Sequence, residues 1–234
     1  ALSWSMDKLG PICRSADDAA IVFAAIHGPD GKDPAVRQLP FTIPEGVSIE
    51  GWKIGFLERE AASMEPYRAV IDKLRELGAE LVPFTPPEYP GRALRIILNA
   101  EAAAAFDELT RSGKDELLVR QIQGAWPNSF RVSRLIPAVE YIQANRIRTV
   151  LMHDMHEAMD GIEAFVHPSF ATLLLSNLTG HPTVVVPNGF GRRGAPRSIS
   201  FTGQLFGESR LLAIARAWQE ATGHHERHPE LSGR

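Results

Sequence analysis

Five histidines stand in two clusters that could hold a metal. His153 and His156 lie three apart in a stretch of helical period, with carboxylates close by at Asp154, Glu157 and Asp160. Neutral imidazoles and carboxylates are the donors that zinc and related ions take. A zinc hydrolase helix spaces its two histidines four apart, as HExxH, and this pair is three apart. A solvated helix face of mixed charge accounts for the cluster as well. His224, His225 and His228 are three more donors in a polar C-terminal stretch. A loose tail accounts for them too, and no metal ligand is assigned. Lys8 stands near Ser3 and Ser5, and a lysine can serve as base for a serine nucleophile. Its neighbours Asp7 and Gly10-Pro11 read more simply as a turn. The sequence has no GxSxG elbow and no SxxK. It has no GxxxxGK[ST] and no GxGxxG, so nucleotide phosphate binding has no support. On its own residues the chain shows no complete catalytic apparatus.

The segment Asn177–Gly189, NLTGHPTVVVPNG, offers another kind of site. Thr183–Val186 is a β-branched run, the composition of a strand buried on both faces. Thr179-Gly180-His181-Pro182 breaks the chain before it, and Pro187-Asn188-Gly189 stops it after. Open α/β sheets bind ligands at such strand ends. A plain core strand between two turns is the other reading.

The surrounding elements follow from pattern. The first residues, Ala1-Leu2-Ser3-Trp4, look like the end of a strand, and with no initiator Met they read as a cut into a longer sequence. Ser15 is placed to cap a helix with Asp17 and Asp18 in its first turn. Ala19, Val22, Phe23 and Ile26 would form its apolar face, and Gly28-Pro29 its end. Asp30–Ser48, rich in Pro, Gly and Asp, is a long surface connection. Trp52–Leu57 is a strand whose Gly51 and Gly55 admit close backbone approach. Pro66 opens a helix with Tyr67, Val70, Ile71, Leu74 and Leu77 inward, closed by Gly78. Glu80–Phe84 is the next strand, and the three elements make a βαβ unit with parallel strands.

Beyond the break Pro83–Pro90, Arg92–Arg111 reads as one long helix, with Ala102–Ala105 packed closely. Asp115–Ile122 reads as a short helix. A very long helical region runs from Pro127–Ser129 to about Met159, divided or kinked at Pro137. Ile147, Val150, Leu151, Met155 and Ala158 keep its period, and Gly161 ends it. Ala164–His167 is a strand. Ser198–Gln204 is a strand antiparallel to Thr183–Val186, joined by the turn Gly191–Pro196. Glu208–Ala221 closes the chain as a helix with Leu211, Leu212, Ala215 and Trp218 inward. The fold class is therefore α/β, a mixed β-sheet flanked by helices.

The 234 residues suffice for one large domain or two small ones. Lys+Arg 25 against Asp+Glu 28 gives a net charge of −3. There is no basic stripe for nucleic acid and no run of membrane-spanning length. Cys13 is the single cysteine, so no internal disulfide forms, which suits a reducing cytoplasm. With no CxxC partner it reads as a buried structural thiol.

In order, these pieces resemble the amidase signature family. LSWSMDKLGPICRSADDAAIVFAAIHGPDGKD is similar to the stretch after that family's catalytic core, where Asp7, Gly10, Pro11, Ser15, Asp18 and Gly28 match. GWKIGFL matches the following strand. AFVHPSF stands where the family has a strand ending in Thr-Pro. NLTGHPTVVVPNGF is similar to its Asn-x-x-Gly-x-Pro-x-x-x-x-Pro, and Glu208–Ala221 to its closing helix. The resemblance implies the C-terminal part of an amidase signature fold, with residues 1–222 a partial domain and 223–234 a polar tail. It implies a hydrolase that cleaves a carboxamide to a carboxylate and ammonia or an amine, without a cofactor. Its Ser–cis-Ser–Lys triad and oxyanion loop match nothing in residues 1–234. The chain alone is expected to be inactive. A non-catalytic amidase-like binding or scaffold module is the alternative. The partner implied is a small-molecule amide in the intact enzyme. Neither nucleic acid nor membrane is expected, and the resemblance suggests a homodimer.

The loop between Ala164–His167 and Thr183–Val186 is expected to face the substrate of the intact enzyme, because two strand ends converge there and buried polar groups at such a convergence need partners. Its candidates are His167, Ser169, Asn177 and Thr179. Asn177 and Thr179 can each bond the turn backbone or a ligand, and His167 can be a hydrogen-bonded core histidine or a pocket group.

Overall fold

A computed structural model describes residues 2–33, 36–44, 46 and 48–229. Cα proximity divides it into two compact units. One comprises Gly10–Pro86, Ala158–Ser176 and Gly180–Arg234, the other Ala1–Leu9, Pro87–Glu157 and Asn177–Thr179.

The first unit holds the sheet. Its strands are β1 (Lys53–Phe56), β2 (Glu80–Pro83), β3 (Ala164–Pro168), β4 (Thr183–Phe190) and β5 (Pro196–Gly203), in the order β2-β1-β3-β5-β4. β1 is parallel to β2 and β3, with Ile54 opposite Leu81 and Ala164. β5 runs antiparallel to both β3 and β4. The mixed sheet and the parallel β1–β2 pair are as the sequence predicts. Gly55 is required by close approach: a Cβ there would lie 2.8 Å from the Phe84 Cβ and 3.0 Å from the Phe165 Cβ. Gly51 has open space around it and is needed for its φ of +74° instead.

Helix α1 (Ala16–Ile26) is capped as expected, with the Asp18 N–H donating to Ser15 Oγ at 3.0 Å. Its inward face differs from the predicted one. Ala16 and Ala20 are buried, whereas Val22 and Ile26 are exposed. The small residues let the last helix, α9 (Glu208–Thr222), come close, and Gln219 Oε1 accepts the Ala16 N–H at 2.8 Å. Cys13 is exposed, not buried: it sits beside the equally exposed Ile12, ahead of the helix. A short helix unforeseen in the sequence, α2 (Glu58–Ser63), precedes α3 (Glu65–Glu76). Tyr67, Val70, Ile71 and Leu74 of α3 are buried, and Gly78 follows at φ +86°. The Tyr67 hydroxyl donates to the Val166 carbonyl at 2.6 Å and accepts the Leu57 N–H at 2.9 Å. One phenol thus ties α3 to β3 and to the residue that follows β1, and burial pushes its pKa up. Leu211, Leu212, Ala215 and Trp218 of α9 face inward as expected.

The strand around which the sequence reading turns is differently placed. β4 is an edge strand with Val185 59% exposed, because β5 inserts between it and β3. Pro187-Asn188-Gly189 does not stop it. The register slips between Pro187 and Phe190, with Gly189 at φ +70°, and the strand resumes.

The second unit is helical. α4 (Gly91–Ala105) and α5 (Asp107–Arg111) replace the single predicted helix, broken at Phe106 with φ −108° and ψ 25°. Ala102 and Ala103 are buried, and Ala104 and Ala105 face solvent. Lys114–Leu117 is one 3-10 turn in place of the predicted short helix. α6 (Trp126–Ser133) and α7 (Ala138–Ala158) divide ahead of Pro137 as expected. Ala144, Leu151 and Met155 are the buried line of α7, while Ile147 and Val150 are exposed. Leu2-Ser3-Trp4 is not a strand end, and Ala1 lies outside the described residues. Met6 and Asp7 N–H groups fold back on the Ser3 carbonyl, and the Asp7 carboxylate accepts the Leu2 and Ser3 N–H groups.

Candidate functional site

In the sheet unit, alternation places polar side chains on one sheet face. Ser198, Ser200 and Thr202 of β5 lie between His167 of β3 and Thr183 of β4. The opposite face carries Val166, Phe201, Ile199 and Val186, all buried. His167 is 1% exposed and lies against Phe165, which stacks on Phe84 at 4.3 Å. Its Nδ1 stands 3.0 Å from the Pro168 carbonyl, an acceptor only, so the proton sits on Nδ1. Nε2 then accepts, with Thr202 Oγ1 at 2.9 Å and Thr172 Oγ1 at 3.0 Å. Thr183 Oγ1 extends the chain 2.8 Å from Thr202 Oγ1. Burial lowers the His167 pKa, and the Pro168 carbonyl opposes this only in part. The imidazole is therefore neutral at pH 7, and it fixes the loop that leaves β3.

That loop presents the more open groups. Ser169 Oγ lies 2.8 Å from Ser198 Oγ and 3.2 Å from Ser200 Oγ, a hydroxyl row that opens to solvent at Ser198. Phe170 follows at φ +71° and is 80% exposed. A phenylalanine in this conformation carries strain of about 1 kcal/mol or more. No sequence signal announces it. Such a face can donate and accept hydrogen bonds to an amide beside an aromatic ring. It holds no free base.

Asn177 and Thr179, in the helical unit, lie at the end of α8 (Leu173–Thr179), where the sequence suggests only a turn. Gly180 caps it at φ +86°. Thr179 is buried and Asn177 half-buried. His167 and Ser169 are thus brought together at the end of β3, and Asn177 and Thr179 belong to the other unit.

The helical unit also contains a polar cluster that the sequence reading missed. Glu101, 4% exposed, accepts from Ser3 Oγ at 2.5 Å, Ser5 Oγ at 2.6 Å, Ser5 N–H at 3.1 Å and Tyr141 Oη at 2.9 Å. Arg148 donates to Ser5 Oγ and Ser5 O, each at 2.8 Å, and to the Leu178 carbonyl at 2.6 Å. Burial would raise the Glu101 pKa, but the hydrogen bonds from Ser3, Ser5 and Tyr141 outweigh it and hold the carboxyl below its ordinary value. The one hint in sequence is a carboxylate alone among the alanines of Ala100–Ala105. Ser3 and Ser5 are bound to this acceptor, and Lys8 is exposed. His153 and His156 are also exposed, and among the described residues no three His, Cys, Asp or Glu side chains converge as a metal set. No helix among them is long and apolar enough to cross a membrane.

A mixed sheet with a polar face and an accompanying helical unit defines the class, and the comparisons supply the family. The Amidase family model matches residues 1–174. The chain belongs to that family, the amidase signature proteins. It is 29% identical over 276 residues to an amidase of Pseudomonas putida, covering all of this chain and 57% of that one. It is 30% identical over 275 residues to a glutamyl-tRNA(Gln) amidotransferase subunit from Prosthecochloris aestuarii, covering 94% and 57%. The peptide amidase structure from Stenotrophomonas maltophilia superposes with a TM-score of 0.80 at 21% identity, covering 100% of this chain and 57% of that one. The chain therefore spans a little over half the length of these relatives.

Proposed function

We propose that this chain forms part of an amidase signature hydrolase that cleaves a small or medium carboxamide to a carboxylate and ammonia or an amine. The observation that carries this reading is the family match over residues 1–174. The catalytic serines, lysine and oxyanion loop would come from outside residues 1–234. Residues 1–222 would act as a partial domain, with 223–234 a tail, in a cytoplasmic, homodimeric enzyme without a cofactor. The test is a polypeptide that adds the coding region upstream of Ala1. Amide turnover by that polypeptide, blocked by a serine-directed fluorophosphonate, is the expected result. An upstream region without a Ser/Lys set, or no turnover, would leave the scaffold reading.

Within this proposal His167, Ser169, Asn177 and Thr179 are substrate-pocket candidates of the intact enzyme, each pair within its own unit. In the extended polypeptide, His167→Ala and Thr179→Ala made singly are expected to shift KM or substrate preference several-fold. Both side chains are buried, so the unfolding midpoints will fall as well, and the kinetic shift is what separates a pocket role from a structural one. If both variants lose stability and keep their kinetics, these residues are structural only.

A further inference from the structure

Asn188-Gly189 and His224 come together in the sheet unit. β4 slips register between Pro187 and Phe190, with Gly189 at φ +70°. A bulge of this kind re-aims the side chains it carries. The Trp218 indole of α9 donates to the Pro187 carbonyl at 3.1 Å, which fixes the ring beside the bulge. The chain then turns at His224–Glu226, and the His224 ring packs on Gly189: a Cβ there would lie 3.4 Å from its Cε1. Asn188 and His224 meet Ala69 and Lys73 of α3 around an open cavity of about 310 Å³, with buried Val70 and Trp218 as its floor. Small-molecule sites start at about this size.

The polar groups around the cavity are one cation and two neutral side chains. Lys73 Nζ donates to Glu76 Oε2 at 3.1 Å, which leaves two of its three N–H groups. Asn188 is half-buried, and among the described residues no hydrogen bond engages its side-chain amide. His224 Nδ1 is enclosed and also without a hydrogen-bond partner among them. Burial, and then the charge of Arg227, lowers the His224 pKa, so the ring is neutral at pH 7. Polar groups left unmet in this way call for a partner. One cation with a carboxylate already beside it suits a monoanion, because the second charge of a phosphate would stand unpaired near Glu76. Ala69 and the imidazole face offer apolar surface for the rest of a ligand. We propose that this cavity binds a small organic carboxylate, its oxygens on Lys73 and Asn188 and its apolar body over Ala69 and the His224 ring.

Titration with sodium benzoate, followed by two-dimensional NMR, tests this on the 234-residue chain and on the polypeptide extended by its upstream coding region. Saturable shifts are expected, in the millimolar range, at the amides of 69–73, the Asn188 side-chain amide and the His224 ring. Benzamide, the neutral isostere, should shift none of them. Lys73→Gln, at a partly exposed helix position, should weaken benzoate roughly tenfold with the rest of the spectrum unchanged. Lys73→Arg should keep the binding. Glu76→Gln should tighten it several-fold, by removing a like charge and freeing the ammonium. An apolar crevice alone would respond to neither charge change. No shift in the millimolar range, equal shifts from benzamide, or benzoate binding unchanged in Lys73→Gln overturns the proposal. Inorganic phosphate binding as tightly as benzoate also overturns it, by removing the carboxylate assignment. So does loss of the shifts in the extended polypeptide, where another part of the fold then fills the cavity. Amide turnover plays no part in the readout, so the proposed function can fail without touching this site.

Discussion

Purified alone, the 234-residue chain is expected to release ammonia or amine from carboxamides no faster than background. Acyl transfer by this family's chemistry needs an activated hydroxyl, a base and donors aimed at the oxyanion. Two places where a hydroxyl meets a group able to take its proton are closed. Ser3 is fully buried and its hydroxyl is given to Glu101. His167 is also buried, and its one acceptor nitrogen is already engaged by Thr202 and Thr172. Loss of a serine hydrolase's catalytic residues removes on the order of 10⁶ in kcat, which puts the remainder below detection in ordinary assays. The measurement is amine release from a panel of aliphatic and aryl carboxamides, with fluorophosphonate labelling followed by peptide mapping. A stoichiometric label on Ser3, Ser5, Ser169 or Ser198 with turnover would show that the chain carries its own nucleophile.

Local pattern foretold what local physics decides. Ser15 caps α1, Pro66 and Gly78 bound α3, and Tyr67, Val70, Ile71 and Leu74 face inward, because capping, proline geometry and helical period act within a few residues. The parallel β1–β2 pair follows from one strand–helix–strand unit. The place of β4 does not. A run of Thr and Val suits an edge strand as well as a buried one, and its neighbour is set by β5 folding back between β3 and β4. Helix α8 escaped because seven residues hold barely two turns of periodicity.

The candidate site divides in the same way. His167 and Ser169 were legible as the polar end of a strand. Phe170 was not, since nothing in the side chain favours positive φ. Glu101 escaped for a different reason. Its partners Ser3, Ser5 and Tyr141 lie 98, 96 and 40 residues away, and only the folded chain assembles them.

That assembly makes Glu101→Ala the substitution with the largest expected cost to stability in the helical unit. Removing the carboxylate strands the buried Ser3 hydroxyl, the Ser5 N–H and hydroxyl, and the Tyr141 phenol. It also leaves Arg148 without the negative charge nearby. An unmet buried polar group costs about 1–3 kcal/mol, and breaking a buried charged network about 3–5. The expected loss is about 3–5 kcal/mol, with a fall in Tm of roughly 10 °C for a chain of this size. Residues Leu2–Lys8 should lose amide protection first, because Glu101 and Arg148 are what hold Ser3 and Ser5. The pH dependence follows from the direction of the shift. The carboxyl titrates lower in the folded chain than in the unfolded one, so the unfolded state takes up the proton first as pH falls. Its contribution is complete above the ordinary glutamate range and drains away as pH drops through that range and below. Glu101→Gln keeps an acceptor oxygen but not the charge. It should be less stable than the parent near pH 7 and should lose less on acidification. Urea unfolding of the parent and both variants at pH 7 and pH 4, with amide exchange at Leu2–Lys8, checks this. Matching midpoints for parent and Glu101→Ala at pH 7, with Leu2–Lys8 still protected, would mean that the N-terminal segment is held by other contacts.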